Sequence, residues 1–166
     1  MRAESYADLL RVYEETTTIA VVGCSTSWPK PAHVVAAYLQ SQGFRIVPVN
    51  PSETEILGQR AFPTLLDIDV PVDVVDVFRP PGEAPGIARD AVAIRARCLW
   101  LQIGIVSEDA ARIAEDAGLT VVVDRCMGIA HGEVGLGPGV HPWMWEQHPD
   151  RLPGGRPDLT ALPHYD

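Results

Sequence analysis

The feature that most constrains the fold is a regular alternation of short apolar runs with helical segments. The runs are rich in β-branched residues and carry little charge, which is typical of strands buried on both faces. They cover 18–23, 44–50, 72–78, 98–104 and 119–124. Helical patterns of roughly 10–15 residues separate most of these runs, as right-handed βαβ units require. The sequence therefore predicts an α/β fold, Rossmann-like and three-layered (α/β/α), with a five-stranded parallel sheet.

The two ends of the chain differ from this central pattern. Near the start, 5–15 has the apolar spacing of an amphipathic helix, and Ser5 with Asp8 resembles a capping box. We expect this helix to cover the domain formed by residues 1–133. From 134 to 166, five of the 33 residues are glycine and six are proline, which excludes a long helix. That segment is predicted to be a Pro/Gly-rich C-terminal extension.

Charge and cysteine content restrict the partners and the compartment. The net charge of −9 disfavours nucleic acid and anionic membranes as partners. The three cysteines are well separated and form no C-x-x-C pair, which favours a reducing, cytoplasmic location over a disulfide framework. No apolar run approaches the roughly 20 residues of a membrane span. A small molecule is therefore the expected ligand, and both a homodimer and a partner protein stay open.

The residues that follow the strands are the candidate binding residues, because ligands of open α/β sheets bind at the carboxyl ends of the strands. These residues are Gly23, Cys24, Ser25 and Thr26; Asn50 and Pro51; Phe78, Arg79 and Pro80; and Gln102, Ile103 and Gly104. Lys30 stands just before the helix that follows the first loop. A helix start with hydroxyls and one cation favours an anion site, and a hydroxyl-rich capped turn is the alternative.

Residues in the first loop and at the ends of the later strands indicate which kind of anionic ligand is expected. The first loop has no second glycine of a G-x-G-x-x-G motif, and Asn50-Pro51 stands where an NAD site places an acidic residue. These departures disfavour NAD and favour a more highly phosphorylated adenine nucleotide. Arg79 is either a phosphate ligand or one half of a salt bridge. Gly104 either lets a ligand pass close to the backbone or forms a simple turn.

The strand ends, taken together, carry a resemblance to a known family. The motifs in chain order are VVGCS, PKP, VPVNP, ILGQ, PVDVVDVFRPP, WLQIGIVSEDA and VVVDRCMGI. Over about 15–133 they closely resemble the small stand-alone CoA-binding proteins, whose domain also forms the N-terminal part of the succinyl-CoA synthetase α chain. The resemblance implies coenzyme A or an acyl-CoA as the bound ligand.

The resemblance also implies where each part of the ligand lies. The pyrophosphate and adenosine would lie over Gly23–Thr26 and Asn50-Pro51, and the pantetheine arm near Phe78–Pro80 and Gln102–Gly104. Lys30 would contact a phosphate. Ser27 and Ala32 depart from the family pattern, which more often has a basic residue and a hydroxyl there, so two phosphate contacts are missing.

The chain is predicted to bind its ligand without catalytic machinery of its own. The related synthetases use a phosphorylated histidine and a nucleotide-grasp module on further domains, for which 166 residues leave no room. One alternative is a CoA-binding subunit of an acyl-CoA ligase assembled in trans. Another, which the first loop disfavours, is an NADP-type oxidoreductase.

Cys126 and the histidines are the remaining candidates for chemistry. Arg125 next to Cys126 would lower the thiol pKa and favour a mixed disulfide with CoA or a redox-sensing role. Packing of Cys126 as a small, semi-buried residue is the interpretation we favour. His131, Glu133, His141 and His148 match no standard zinc spacing, so no metal site is predicted.

Overall fold

A computed structural model describes residues 1–27 and 30–140. The helices are α1 (Tyr6–Glu14), α2 (Pro31–Ser41), α3 (Ala84–Ala93), α4 (Glu108–Asp116) and α5 (Met127–Glu133). The strands are β1 (Thr18–Val22), β2 (Arg45–Val49), β3 (Glu55–Ile56), β4 (Gln59–Arg60), β5 (Val74–Val77), β6 (Cys98–Leu101) and β7 (Thr120–Val122). Short 3-10 turns at Leu65–Asp67 and Pro81–Glu83 complete the described elements.

Five of the strands form one parallel sheet in the order β2-β1-β5-β6-β7. Apolar side chains on one face of this sheet pack against α1, α2 and α5, and those on the other face pack against α3 and α4. Every residue of β1 is buried, as expected for a strand covered on both faces. The predicted Rossmann-like α/β/α fold with a five-stranded parallel sheet is confirmed.

The N-terminal segment forms hydrogen bonds with β7, the edge strand opposite β2. Ala3 N donates to Val121 O at 2.9 Å, and Val121 N donates to Met1 O at 2.9 Å. The capping box predicted for α1 is present, since Ser5 Oγ accepts from Asp8 N and the Asp8 carboxylate accepts from Ser5 N. The predicted cover helix therefore exists, and Leu9, Val12 and Tyr13 join the core, whereas Tyr6 is 57 % exposed.

Two elements were not predicted. A hairpin of β3 and β4 lies within the polar connection after β2, and α5 follows β7 directly. The hairpin has only two residues per strand, so it has no alternation to detect. The α5 sequence MGIAHGE contains two glycines in seven residues, which weakens any helical pattern.

The described chain continues to pack on the domain after α5. Val140 is 2 % exposed and its amide donates to Gly128 O at 3.2 Å. Gly139 N donates to the Tyr38 hydroxyl at 2.8 Å, which joins this segment to α2. His141, His148 and the rest of the predicted extension lie outside the described residues.

A buried histidine lies beneath this segment. His131 is 3 % exposed, and its ring makes edge contacts with Tyr13, Tyr38 and Phe44. The Tyr38 hydroxyl lies 2.8 Å from His131 Nδ1. Because that hydroxyl accepts from Gly139 N, it is free to donate its own hydrogen to an unprotonated Nδ1. Burial lowers the pKa of His131, so the neutral ring is the folded form.

This arrangement predicts acid sensitivity. A histidine whose folded pKa is lowered stabilises the fold above its unfolded value of about 6.5, and that stability is lost as the pH falls below it. We expect the free energy of unfolding, measured in urea between pH 7.5 and 5, to fall more steeply for the unmodified chain than for His131→Gln. Parallel pH profiles of the two proteins would contradict the buried neutral ring.

Candidate functional site

The loops after β1, β2 and β5 enclose a cavity of about 890 Å³ at the carboxyl edge of the sheet, which we name the main cavity. Nine of the thirteen predicted binding residues line it: Gly23, Cys24, Ser25, Lys30, Asn50, Pro51, Phe78, Arg79 and Pro80. Thr26 and Gly104 are exposed outside its lining. Gln102 is fully buried, and Ile103 lines a second cavity. That these residues contact a ligand stays a prediction.

Gly23 shapes the floor of the main cavity. Its φ is +84°, in the left-handed region that favours glycine. A Cβ at this position would lie 2.7 Å from Phe78 O and 2.9 Å from Arg79 Cδ. Gly23 N donates to Val49 O at 3.0 Å, and Phe78 N donates to Val22 O at 2.9 Å. Glycine therefore allows the loops after β1 and β5 to pack side by side.

The Asn50 side chain forms hydrogen bonds with both the loop after β1 and the loop after β2. Its Nδ2 donates to Cys24 O at 2.9 Å, and its Oδ1 accepts from Ser52 N at 2.7 Å. The side chain predicted to contact a ribose or a base therefore already has protein partners at both ends. Asn50 positions the first loop relative to the second.

The first loop is held in place by His33, a residue that sequence analysis did not identify. His33 Nδ1 lies 2.7 Å from Ser25 O, and Ser25 Oγ accepts from Ser27 N at 2.9 Å. Lys30 is the exposed N-cap residue of α2 and supplies no side-chain cap. The loop thus brings a cation and the amino end of an eleven-residue helix to the cavity.

Acidic residues also line the main cavity, and sequence analysis missed them. Arg79 Nη2 lies 2.7 Å from Glu83 Oε2, and Arg79 Nε donates to Glu83 Oε1 at 3.3 Å. This is the salt bridge that was the alternative for Arg79. Glu83 is the last residue of the 3-10 turn Pro81–Glu83, and Asp90 lies within α3, so neither directly follows a strand. An anion that binds Arg79 must compete with Glu83.

A buried polar pair lies beneath the strand ends. Gln102 Nε2 donates to Asp76 Oδ1, and Gln102 Oε1 accepts from Met127 N at 3.4 Å. Asp76 is 0 % exposed, and among residues 1–27 and 30–140 its Oδ2 has no hydrogen-bond partner. Burial raises the pKa of Asp76 to about 8. The Gln102 side chain is therefore buried beside a carboxyl in the core, and its contact with a ligand stays a prediction.

All three thiols are buried and neutral. Burial raises the pKa of Cys24 and of Cys126 to about 12 each, and raises that of Cys98 as well. Arg125 does not activate Cys126, since its guanidinium lies 3.8 Å from Glu133 and donates to Glu4 O at 3.2 Å. The structure agrees with the packing interpretation of Cys126.

The second cavity, of about 600 Å³, lies at the same edge of the sheet beyond β6 and β7. Its lining includes Ile103 and Val106 from the loop after β6, Val123 after β7, and Ile129 and Ala130 of α5. The N-terminal segment closes one side through Arg2, Ala3 and Glu4. Sequence analysis identified Ile103 but not the cavity, because α5 was not predicted.

The sequence model of the CoA binding domain family matches residues 17–132, which include every strand of the sheet and the lining of the main cavity. The chain belongs to this CoA-binding domain family. The resemblance drawn from the strand-end motifs is thereby confirmed.

Individual relatives agree with the family. The Bacillus subtilis protein YneT, described as uncharacterized, is 37% identical over 131 residues, which are 79% of this chain and 97% of that protein. A hypothetical protein from Pyrococcus horikoshii has a solved structure with a TM-score of 0.78 and 32% identity, covering 81% of this chain and 94% of its own. Both likenesses span nearly the whole length of the relative.

A larger enzyme contains a related segment. The ADP-forming acetate–CoA ligase II of Archaeoglobus fulgidus is 33% identical over 72 residues, which are 42% of this chain but only 11% of the ligase. Within residues 1–27 and 30–140, no helix has the length and apolar character needed to cross a bilayer.

Proposed function

We propose that this chain binds coenzyme A or an acyl-CoA in the main cavity and has no catalytic group of its own. The observation that carries the proposal is the convergence of nine predicted binding residues on one cavity within the segment that matches the CoA-binding family. The phosphates lie over the first loop and the start of α2, and the pantetheine arm leaves past Phe78 and Pro80.

The chemistry of the lining supports a phosphorylated ligand held by few cations. Lys30 and Arg79 oppose Glu83 and Asp90 in the lining, so these four side chains contribute no net positive charge. Pro31 has no N–H and His33 N already donates to Lys30 O at 2.9 Å, so the positive end of the α2 dipole supplies part of the anion binding. The buried thiols Cys24 and Cys126 are neutral and react slowly with a CoA disulfide, so the proposed binding is reversible.

Thermal shift with three ligands tests the proposal. Saturating coenzyme A is expected to stabilise the chain by about 2.7 kcal/mol at a hundredfold excess over Kd. Dephospho-CoA is expected to stabilise it less, because it lacks the 3′-phosphate. A shift with NADP alone would contradict the proposal and favour the oxidoreductase alternative.

The salt bridge at Arg79 makes a sharper prediction about affinity. Arg79→Ala is expected to weaken CoA binding by about 1–3 kcal/mol, because it removes a charge-assisted phosphate contact. Glu83→Gln is expected to tighten binding by about 0.2–1 kcal/mol, because it releases the guanidinium from an exposed pair. Isothermal titration calorimetry at fixed ionic strength measures both changes.

A matched pair on α4 supplies the control. Arg112 and Asp109 form an exposed pair of 3.5 Å that does not line the main cavity. Arg112→Ala and Asp109→Asn should leave the CoA affinity unchanged. Weaker binding in both Arg79→Ala and Glu83→Gln would mean that the bridge shapes the loop rather than that Arg79 contacts a phosphate.

A ligase subunit assembled in trans is the second candidate function. The related segment of the Archaeoglobus fulgidus acetate–CoA ligase makes up 11% of that enzyme, so the same kind of domain occurs beside further ligase parts. Stable copurification of the chain with a nucleotide-binding protein from its native cell would support this candidate. Recovery of the chain alone, with CoA bound, would favour the binding protein.

A further inference from the structure

The loops after β5, β6 and β7 lie side by side along the carboxyl edge of the sheet. Gln102 N donates to Val77 O at 3.4 Å, and Arg125 N donates to Leu101 O at 3.3 Å. Each loop therefore begins beside the end of the neighbouring strand. The main cavity covers the ends of β2, β1 and β5, and the second cavity covers those of β6 and β7. The two cavities are neighbours across the boundary between β5 and β6.

The length of a pantetheine arm matches the separation of the cavities. Neighbouring strands lie about 4.8 Å apart, so the end of β7 is roughly 14 Å from the end of β1. Pantetheine has twelve consecutive bonds between its terminal oxygen and its sulfur, as many as four residues of a peptide chain, so its extended length is roughly 13–14 Å. An arm that starts above the first loop and passes Phe78 thus ends at the second cavity.

The floor of the second cavity is apolar and incompletely covered. Ile103, Val123 and Ile129 each pack against the core on one side and retain partial exposure. Val106 at the rim is 51 % exposed. Covering such side chains with an aliphatic group removes apolar surface from water on both partners.

Four of the five charged residues that line the second cavity have partners for their side chains, and the fifth, Glu4, is itself acidic. Arg2 Nη2 lies 2.5 Å from Glu115 and 3.3 Å from Glu108. Arg125 pairs with Glu133 at 3.8 Å, and Asp124 Oδ1 accepts from Gly104 N at 2.6 Å. A carboxylated acyl group would have to displace one of these acids and would meet their negative charge. The lining therefore favours an uncharged chain.

We propose that the second cavity binds the short, uncharged acyl group of an acyl-CoA thioester whose nucleotide occupies the main cavity. This inference rests on the proposed function and specifies the ligand as the thioester rather than free CoA. The acyl chain lies on Ile103, Val123 and Ile129, beneath the rim residue Val106.

Calorimetric titration with free CoA, butyryl-CoA and succinyl-CoA tests the inference. A methylene that is fully buried improves affinity about fourfold, and the partial cover here reduces this to about twofold. We therefore expect butyryl-CoA to bind about tenfold more tightly than CoA, and succinyl-CoA no more tightly than CoA.

Val106→Asp and Ile129→Asn should each remove most of the butyryl advantage and leave the CoA affinity unchanged. Leu136→Asp, at an exposed leucine outside both cavities, is the control and should retain it.

Each other result has a defined meaning. Equal affinity for CoA and butyryl-CoA would overturn the acyl site and leave the proposed CoA function intact. A butyryl advantage that survives in Val106→Asp and Ile129→Asn would also overturn it, by placing the acyl group elsewhere. Preference for succinyl-CoA over butyryl-CoA would overturn the selection for an uncharged chain. Failure of all three ligands to bind the unmodified chain would instead refute the proposed function.

Discussion

Asp76→Asn is expected to raise the free energy of unfolding by about 2–4 kcal/mol at pH 8. The Asp76 carboxyl is fully buried, and burial raises its pKa to about 8, whereas an aspartate in an unfolded chain ionises near 4. Between these two pH values the unfolded chain releases a proton that the folded chain keeps. Stability from this group is therefore complete below about pH 4 and is lost as the pH rises towards 8.

The asparagine variant lacks this pH dependence but keeps the local hydrogen bond. Its amide oxygen can accept from Gln102 Nε2 as the carboxyl oxygen does. Urea unfolding at several pH values between 4 and 8 measures the difference between the two proteins, which should be small at pH 4 and grow with pH. A constant difference across this range would mean that water reaches the carboxyl.

Asp73→Asn is the matched control, because Asp73 immediately precedes β5, the strand that contains Asp76. Its Oδ2 accepts from the amides of Thr17 and Thr18, each at 2.9 Å. A satisfied carboxylate of this kind stabilises the fold through charge-assisted hydrogen bonds. Asp73→Asn should therefore lower the stability at neutral pH by about 1 kcal/mol, the opposite sign to Asp76→Asn.

The parallel sheet was predictable because its signal is local. Each strand is an apolar run of the length that a buried strand needs, and the capping box of α1 is complete within four residues. The strand-end rule also placed Gly23, Asn50 and Arg79 around one cavity, since parallel strands bring their carboxyl ends to the same edge. Nothing comparable marks the β3–β4 hairpin or α5, which depend on tertiary packing.

The same rule did not reveal that Gln102 is buried, and it missed the acidic lining of the main cavity. Gln102 follows β6, but its side chain points into the core because it pairs with Asp76 one strand away. Such a pairing joins residues that are 26 positions apart, and no local pattern reveals it. Glu83, Asp90 and His33 reach the site from helices or turns rather than from strand ends. Their positions depend on how each helix is rotated against the sheet.

Gly23→Ala is expected to destabilise the chain by about 2–5 kcal/mol and to abolish CoA binding. The left-handed backbone at Gly23 costs an alanine about 1–2 kcal/mol. The new Cβ would also lie 2.7 Å from Phe78 O, so the loop after β1 must move away from the loop after β5. Such overpacking adds about 1–3 kcal/mol. Denaturant unfolding and calorimetric titration with CoA measure the two effects.

Gly118→Ala is the control that separates the cost of a left-handed backbone from the cost of the steric contact with Phe78 O. Gly118 has a similar φ of +88°, but a Cβ there would meet nothing within 4 Å. This variant should lose only about 1–2 kcal/mol of stability and bind CoA normally. If Gly23→Ala is no less stable than Gly118→Ala and still binds CoA, the close approach of the two loops does not form the binding site. If it loses both stability and binding, the packing of a bare backbone against Phe78 O is what keeps the main cavity open to a phosphorylated ligand.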